Sequence, residues 1–326
     1  MPSLLELYQM MPNQLMLVLA ALVSFYFPLP LQYHPSTTFG LLLQLIGNRV
    51  ANPQNSISQQ QLAGVLGLVV VLVPSLALVI ALKQVLFFED AFDFLLLLFL
   101  FEWRAYSSTY QACRQALLVT DKPSARDGLS QITLRDVDSL SLLGLQKAAA
   151  ECLTLQITHR WFVVFFWFAI GGIYGALLCR LLQLCSFYWN RKKARYRHFG
   201  IAAQQTYQLI AFVPCLLLAA TLSCYGNTLY ALKNCLRQGA SWPALSSGMV
   251  LSALASSLKV QLGGPRIYDT IKMRFALLGT GDNINQGHLK PVYSRLHQAA
   301  WLWLVVYILI NLVLWLMQQP NMQYGS

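Results

Sequence analysis

The feature that most restricts this chain is residues 200–232, a stretch without a single Asp, Glu, Lys or Arg. Further apolar runs occupy residues 15–27, 62–82, 94–101, 161–179 and 299–317. A helix of about 20 apolar residues crosses the roughly 30 Å hydrocarbon layer of a bilayer. The expected class is therefore an all-α polytopic integral membrane protein. Composition points the same way: 11% of the residues are charged, against roughly 25% in soluble domains, which excludes an ordinary soluble enzyme. The formal net charge is +11, and in such a protein basic residues report orientation before they report nucleic acid.

The chain divides at its changes of composition. Residues 1–103 form an N-terminal transmembrane region with three candidate spans. The first run has no Lys or Arg before it and no small-residue cleavage site after it, so a cleaved signal peptide is not expected. Pro28, Pro30 and Pro35 break the helix that follows. The third candidate, 84–103, carries Glu89, Asp90 and Asp93, which are costly at mid-bilayer and are placed at its outer end. Residues 104–160 read as an extramembrane helical segment and 161–232 as apolar helical hairpins around a basic loop, 190–198. Residues 233–298 are polar and basic, with an embedded small-residue helix and a Gly263-Gly264-Pro265 element, and 299–326 closes the chain with a last span.

Lys and Arg beside spans stay on the cytoplasmic side. If every run crossed, the basic loops at 104–160, 188–206 and 233–298 would alternate sides. The expected topology is therefore about four full transmembrane helices plus two re-entrant elements, broken at Gly171-Gly172 and Gly226-Asn227. Only Lys83 then lies outside.

Few side chains announce chemistry. Seven cysteines have no CxxC spacing and read as a reduced, packed set. His34, His159, His198, His288 and His297 show no metal-type pairing, and the glycine pairs lack the Lys-Ser/Thr of a P-loop. Arg135-Asp136 reads as a local salt bridge. Gly263-Gly264-Pro265 reads as a turn or as a close backbone approach to an anion, with Lys259 and Arg266 alongside. The basic run 191–197 reads as a lipid-facing anchor or an anionic contact. Trp161, Trp167, Trp189, Trp301 and Trp303 are placed at the membrane interface.

Several strings together resemble the CobD/CbiB family of cobalamin-biosynthesis membrane proteins (adenosylcobinamide-phosphate synthases), which has AmpE-like relatives. They run from Pro30 through His34-Pro35 to Gly40, then Ala125-Arg126, Leu134-Arg135-Asp136 and Lys147 to Glu151. Gly171-Gly172, Tyr196 to Gly200 and Pro214 follow, and the most specific string is Leu262-Gly263-Gly264-Pro265 with Tyr268 and Leu278-Gly279. The resemblance covers nearly the whole chain and implies a bacterial inner-membrane protein that joins aminopropanol or its phosphate to adenosylcobyric acid, with Mg-ATP and a corrinoid as the implied ligands. By the same resemblance, substrate or anion binding falls to His34, Arg135, Asp136, Glu151, Gly263, Gly264, Pro265 and Tyr268. No catalytic residue and no metal ligand is assigned. The chain departs from the pattern at Leu155, Gln156, His159, Ser186, Tyr207, Gln208, Ala211 and Leu216, where the family carries acids, amides and an arginine. That departure suggests a pseudoenzyme with weak or absent Mg-ATP binding, and the alternative reading is a non-catalytic, AmpE-like membrane sensor. Expected partners are the lipid bilayer and a corrinoid or other anionic ligand, without nucleic acid; a homo-oligomer is allowed.

Overall fold

The computed structural model describes residues 12–27, 33–226, 228–268 and 271–318. The expected breaks at Pro28 and Pro30, and Asn227 of the second hairpin break, lie outside the described residues. The apolar runs fold as helices. Helix α1 is Pro12–Tyr26, α2 Pro35–Val50, α3 Ile57–Val85, α4 Glu89–Leu100, α5 Trp103–Leu118 and α6 Lys122–Ser130. Then follow α7 Leu142–Ile157, a π turn Thr158–Phe162, α8 Val163–Tyr188, α9 Ile201–Ser223, α10 Thr228–Gly239, α11 Leu245–Leu258 and, at the end of the chain, α12 Gln286–Gln318.

By length and apolarity four helical stretches among the described residues qualify as membrane-crossing: α3, the continuous run Leu142–Tyr188, α9 and α12. The chain is thus a helical, polytopic membrane protein. Helix α3 starts at a capping box in which Ser56 and Gln59 satisfy each other's backbone N–H. At its other end Lys83 meets Asp93 at 2.7 Å and Glu89 at 3.8 Å. Glu89 and Asp93 therefore sit with Lys83, as the cost of a bare acid in lipid requires. That third candidate is not one helix, however. Helix α4 stops at Leu100 and α5 begins at Trp103, because Glu102 between them is fully buried against Arg160, Arg180 and Ser36.

The run Leu142–Tyr188 is not straight. Twenty residues of straight helix would hold Arg160 and Arg180 about 30 Å apart, yet both bond to the one carboxylate of Glu102. The reversal lies at Gly172, whose φ of 57° and ψ of −153° belong to a region that essentially only glycine enters. A Cβ on Gly175 would lie 2.6 Å from the Trp167 carbonyl oxygen, so that glycine lets the two limbs touch. The expected hairpin break at Gly171-Gly172 is where the sequence places it.

The basic segments gather at one end of the bundle. Arg195 donates to the Asn48 carbonyl at 2.7 Å, Tyr196 to the Asn48 side chain at 2.9 Å, and Lys192 to Tyr268 at 3.2 Å. The Asp136 N–H donates to the Ile267 carbonyl at 3.0 Å. Residues 260–283 add short strands that the sequence reading does not contain: β1 Val260–Gly263, β2 Arg266–Tyr268, β3 Ile271–Met273, β4 Leu277–Leu278 and β5 Asp282–Asn283. Strand β1 pairs antiparallel with β4 and parallel with β5, while β2 and β3 form a hairpin in which Tyr268 opposes Ile271. Strands of two to four residues are too short to show a period of two.

Two of the expected interfacial tryptophans are core residues instead. Trp161 and Trp189 are fully buried, their indole N–H groups donating to Ser24 Oγ and the Leu43 carbonyl. A buried indole is tolerated where it finds such an acceptor. Trp301 is exposed, as an interfacial residue would be.

Candidate functional site

A cavity of about 470 Å³ opens at the basic end of the bundle, within the roughly 300–1,000 Å³ typical of small-molecule sites. Helix α7 begins at Ser141, whose side chain accepts the Gly144 N–H, and presents Glu151 to the cavity. Glu151 is 3% exposed. Its Oε2 lies 2.8 Å from Arg266 and 3.5 Å from Arg135, and its Oε1 accepts the Gly263 N–H at 2.5 Å. Arg135 also reaches the Pro265 carbonyl at 3.5 Å. One buried carboxylate thus ties the loop before α7 to the turn after β1. That turn needs glycine: Gly263 has a φ of +82°, and a Cβ there would lie 2.3 Å from the Ala276 carbonyl oxygen.

Beyond Glu151 this wall is cationic, with Arg135, Arg191, Lys192, Arg197 and Arg266 all lining it. Arg266 is 6% exposed and is held between the rings of Trp242 and Phe275, at 4.7 and 4.8 Å from their centroids. Lys192 sits 4.2 Å above the Tyr268 ring. A desolvated cation–π contact such as that of Arg266 contributes on the order of 2 kcal/mol. Burial pushes the Tyr268 phenol up, but the charges of Lys192 and Arg266 outweigh it and leave its pKa below the usual tyrosine value. Burial likewise opposes the charge on Arg266, and Glu151 more than restores it. Nε of Arg135 and Nε of Arg266 are buried and meet no acceptor among the described residues.

The floor is polar and uncharged. His159, in the π turn, has Nδ1 at 2.9 Å from the Tyr207 hydroxyl and Nε2 at 3.1 Å from Ser247 Oγ. Gln156 accepts from Arg160 at 2.6 Å and donates to the Ile132 carbonyl at 2.7 Å, so both ends of its amide are used. Ser186, Gln204 and Gln208 complete the lining on this side.

The structure brings together Arg135, Glu151, Gly263, Pro265 and Tyr268 from the sequence reading, and separates two others. Asp136 is exposed; its side chain accepts the Asp138 N–H and its partner is not Arg135, which turns to the buried Glu151 instead. His34 lies at the start of α2, 3.0 Å from Glu102, in the buried cluster with Arg160 and Arg180. Burial drives the His34 pKa down to about 4, more than the pull of Glu102 raises it. Gly264, with a φ of +99°, is buried and shapes the turn. The expected approach of the glycine amides to an anion is met inside the chain, since Gly263 donates to Glu151. The basic run is the largest revision: Arg191, Lys192 and Arg197 line the cavity rather than facing lipid. Nothing local in the sequence distinguishes them from Lys193 and Arg195, because the tertiary fold alone sets which of them turn inward.

The donor set does not fit Mg-ATP. Nucleotide-bound Mg²⁺ is held by one or two protein carboxylates besides phosphate oxygens and water, and the acid of this cavity is already held by two guanidinium groups and an amide. No three His, Cys, Asp or Glu side chains converge among the described residues. Six of the departing positions, Leu155, Gln156, His159, Ser186, Tyr207 and Gln208, line this one cavity, whereas Ala211 and Leu216 do not. Departures scattered over three helices thus share a single space with the residues that keep the pattern.

Known proteins place the chain. It is 32% identical over 192 residues to cobalamin biosynthesis protein CobD of Stutzerimonas stutzeri, covering 59% of this chain and 63% of that protein. It is 27% identical over 297 residues to the protein of the same name from Chromobacterium violaceum, covering 90% and 95%. The namesake in Leptospira interrogans is 28% identical over 165 residues, covering 48% and 51%. No solved structure matches. The CobD/Cbib protein family matches residues 17–296, a span that holds the whole cavity, and the chain belongs to that family.

Proposed function

We propose that this protein serves cobalamin assembly at the bacterial inner membrane by binding an anionic precursor in its cavity, either a carboxylate-bearing corrinoid or the phosphate of an aminopropanol phosphate. The observation that carries the reading is the wall of five basic side chains whose acid is already neutralised from within. A wall of that kind has spare positive charge and spare donors, and charged hydrogen bonds to an anion contribute about 1.5–3 kcal/mol each. The relatives' name, cobalamin biosynthesis protein CobD, supports the substrate class. The poor fit to a hard cation favours binding without Mg-ATP, so no ATP-dependent joining step is assigned to this chain.

The test is calorimetry on detergent-purified protein with adenosylcobyric acid and with aminopropanol phosphate, each with and without Mg-ATP. Binding of at least one is expected, unaffected by Mg-ATP, and Lys192→Ala should weaken it about 10- to 100-fold. Lys192 is the probe because it is only half-buried and its removal leaves the Glu151 cluster intact. Absence of binding by both ligands would overturn the reading, and micromolar, Mg²⁺-dependent ATP affinity would overturn its metal-free form.

A further inference from the structure

The floor of the cavity carries a second recognition element, distinct in chemistry from the cationic wall. His159 has a hydroxyl on each ring nitrogen, Tyr207 at Nδ1 and Ser247 at Nε2. A neutral imidazole has one donor nitrogen and one acceptor nitrogen, so the three groups form a directed chain that can run either way. The chemistry of its ends decides the direction. A phenol is the stronger donor and the weaker acceptor of the two hydroxyls, because its oxygen lone pair is delocalised into the ring. Tyr207 therefore donates to Nδ1, Nε2–H donates to Ser247 Oγ, and the Ser247 proton is left to point elsewhere. Tyr207 is buried, with His159 as its hydrogen-bond partner among the described residues.

We infer that the relay from Tyr207 through His159 to Ser247 presents the Ser247 hydroxyl as a donor to an uncharged carbonyl oxygen of the cavity's ligand, an amide being the matching group. The surroundings fix the class of acceptor. The side chains that α8 and α9 add to the lining, Gln183, Ser186, Gln204 and Gln208, are neutral hydrogen-bonding groups, and the lysine and arginines of the cationic wall come from other segments. An anionic group gains more against that wall, while a neutral carbonyl gains a fixed donor here. The ligand this cavity fits therefore has two different ends, one anionic and one bearing amides. The inference rests on the reading of the cavity as the binding site.

Two measurements test it. In protein labelled with ¹⁵N at histidine, the His159 resonances, assigned by their loss in His159→Gln, should show the tautomer with the proton on Nε2, and Tyr207→Phe should shift that balance. The proton on Nδ1 would reverse the relay and overturn the assignment of Ser247. In calorimetry, Ser247→Ala should weaken adenosylcobyric acid binding about 5- to 10-fold, the loss of one neutral hydrogen bond, and leave inorganic phosphate binding unchanged. Unchanged corrinoid affinity in Ser247→Ala, with Lys192→Ala still weakening it, overturns the subsite and spares the proposed function. If neither probe binds the wild-type protein, the proposed function and the subsite fall together, whatever the tautomer.

Discussion

Glu151 and Glu102 are both buried carboxylates held by two arginines, and they do different work. Glu151 keeps a cavity wall in shape and Glu102 keeps two helix ends together. Removing one partner of a buried ion pair leaves uncompensated charge and costs about 3–5 kcal/mol. Glu151→Gln is therefore expected to lower the thermal midpoint in detergent markedly, by a loss within that range, although glutamine can still accept the Gly263 N–H. A midpoint within a degree of wild type would show that Arg135 and Arg266 find other counter-charge. His34 makes a pH prediction. Its folded pKa, about 4, lies below the ordinary 6.5, so the unfolded chain takes up more protons in between and stability is lost as pH falls through that window. His34→Asn keeps a helix-capping side chain and should lose less of its thermal midpoint between pH 6.5 and 4.5 than wild type does; equal losses would clear His34 of the effect. At this scale the site was partly legible. Arg135, Glu151, Gly263 and Tyr268 stood in strings with a recognisable pattern, whereas Lys192 lay in a charge run that looked uniform. His159 and Ser247 lie 88 residues apart, and no local signal joins them.

The hairpin formed by the π turn and α8 is the element on which the rest depends, since its two limbs carry Arg160 and Arg180 to Glu102 and bring His159 and Ser186 to one cavity. The reversal is a backbone event. A Cβ on Gly172 would meet no atom within 4 Å, yet its φ of +57° excludes an L side chain without strain; Gly171 is equally open and has no such φ. Gly172→Ala should cost about 1–3 kcal/mol by this strain alone, while Gly171→Ala should be neutral or slightly stabilising. Comparing the two thermal midpoints checks the assignment, and equal effects would place the turn elsewhere. The Gly-Gly pair made this break legible in advance. The break at Glu102 was not, because an acid between apolar runs says nothing of the two arginines that will meet it.

In the whole molecule, Arg195 is tied to Asn48, Arg135 to Pro265 and Lys192 to Tyr268, and Lys83 stands with Glu89 and Asp93 at the far end of α3. Basic residues beside membrane helices stay in the cytoplasm, so labels or reporters near Arg126, Lys192 and Lys272 are all expected to report cytoplasm, and one near Lys83 the opposite face. A periplasmic report at Lys192 would break the hairpin topology. The sequence by itself determined the membrane class, the reversal at Gly171-Gly172 and the family, because each is written in composition, local backbone freedom or an ordered string of residues. The tertiary structure alone decided that Arg191, Lys192 and Arg197 face a ligand-sized space, that Trp161 and Trp189 are core, and that His159 links Tyr207 to Ser247. Side-chain direction and long-range pairing follow from how helices pack against one another, and no window of sequence holds both partners of such a contact.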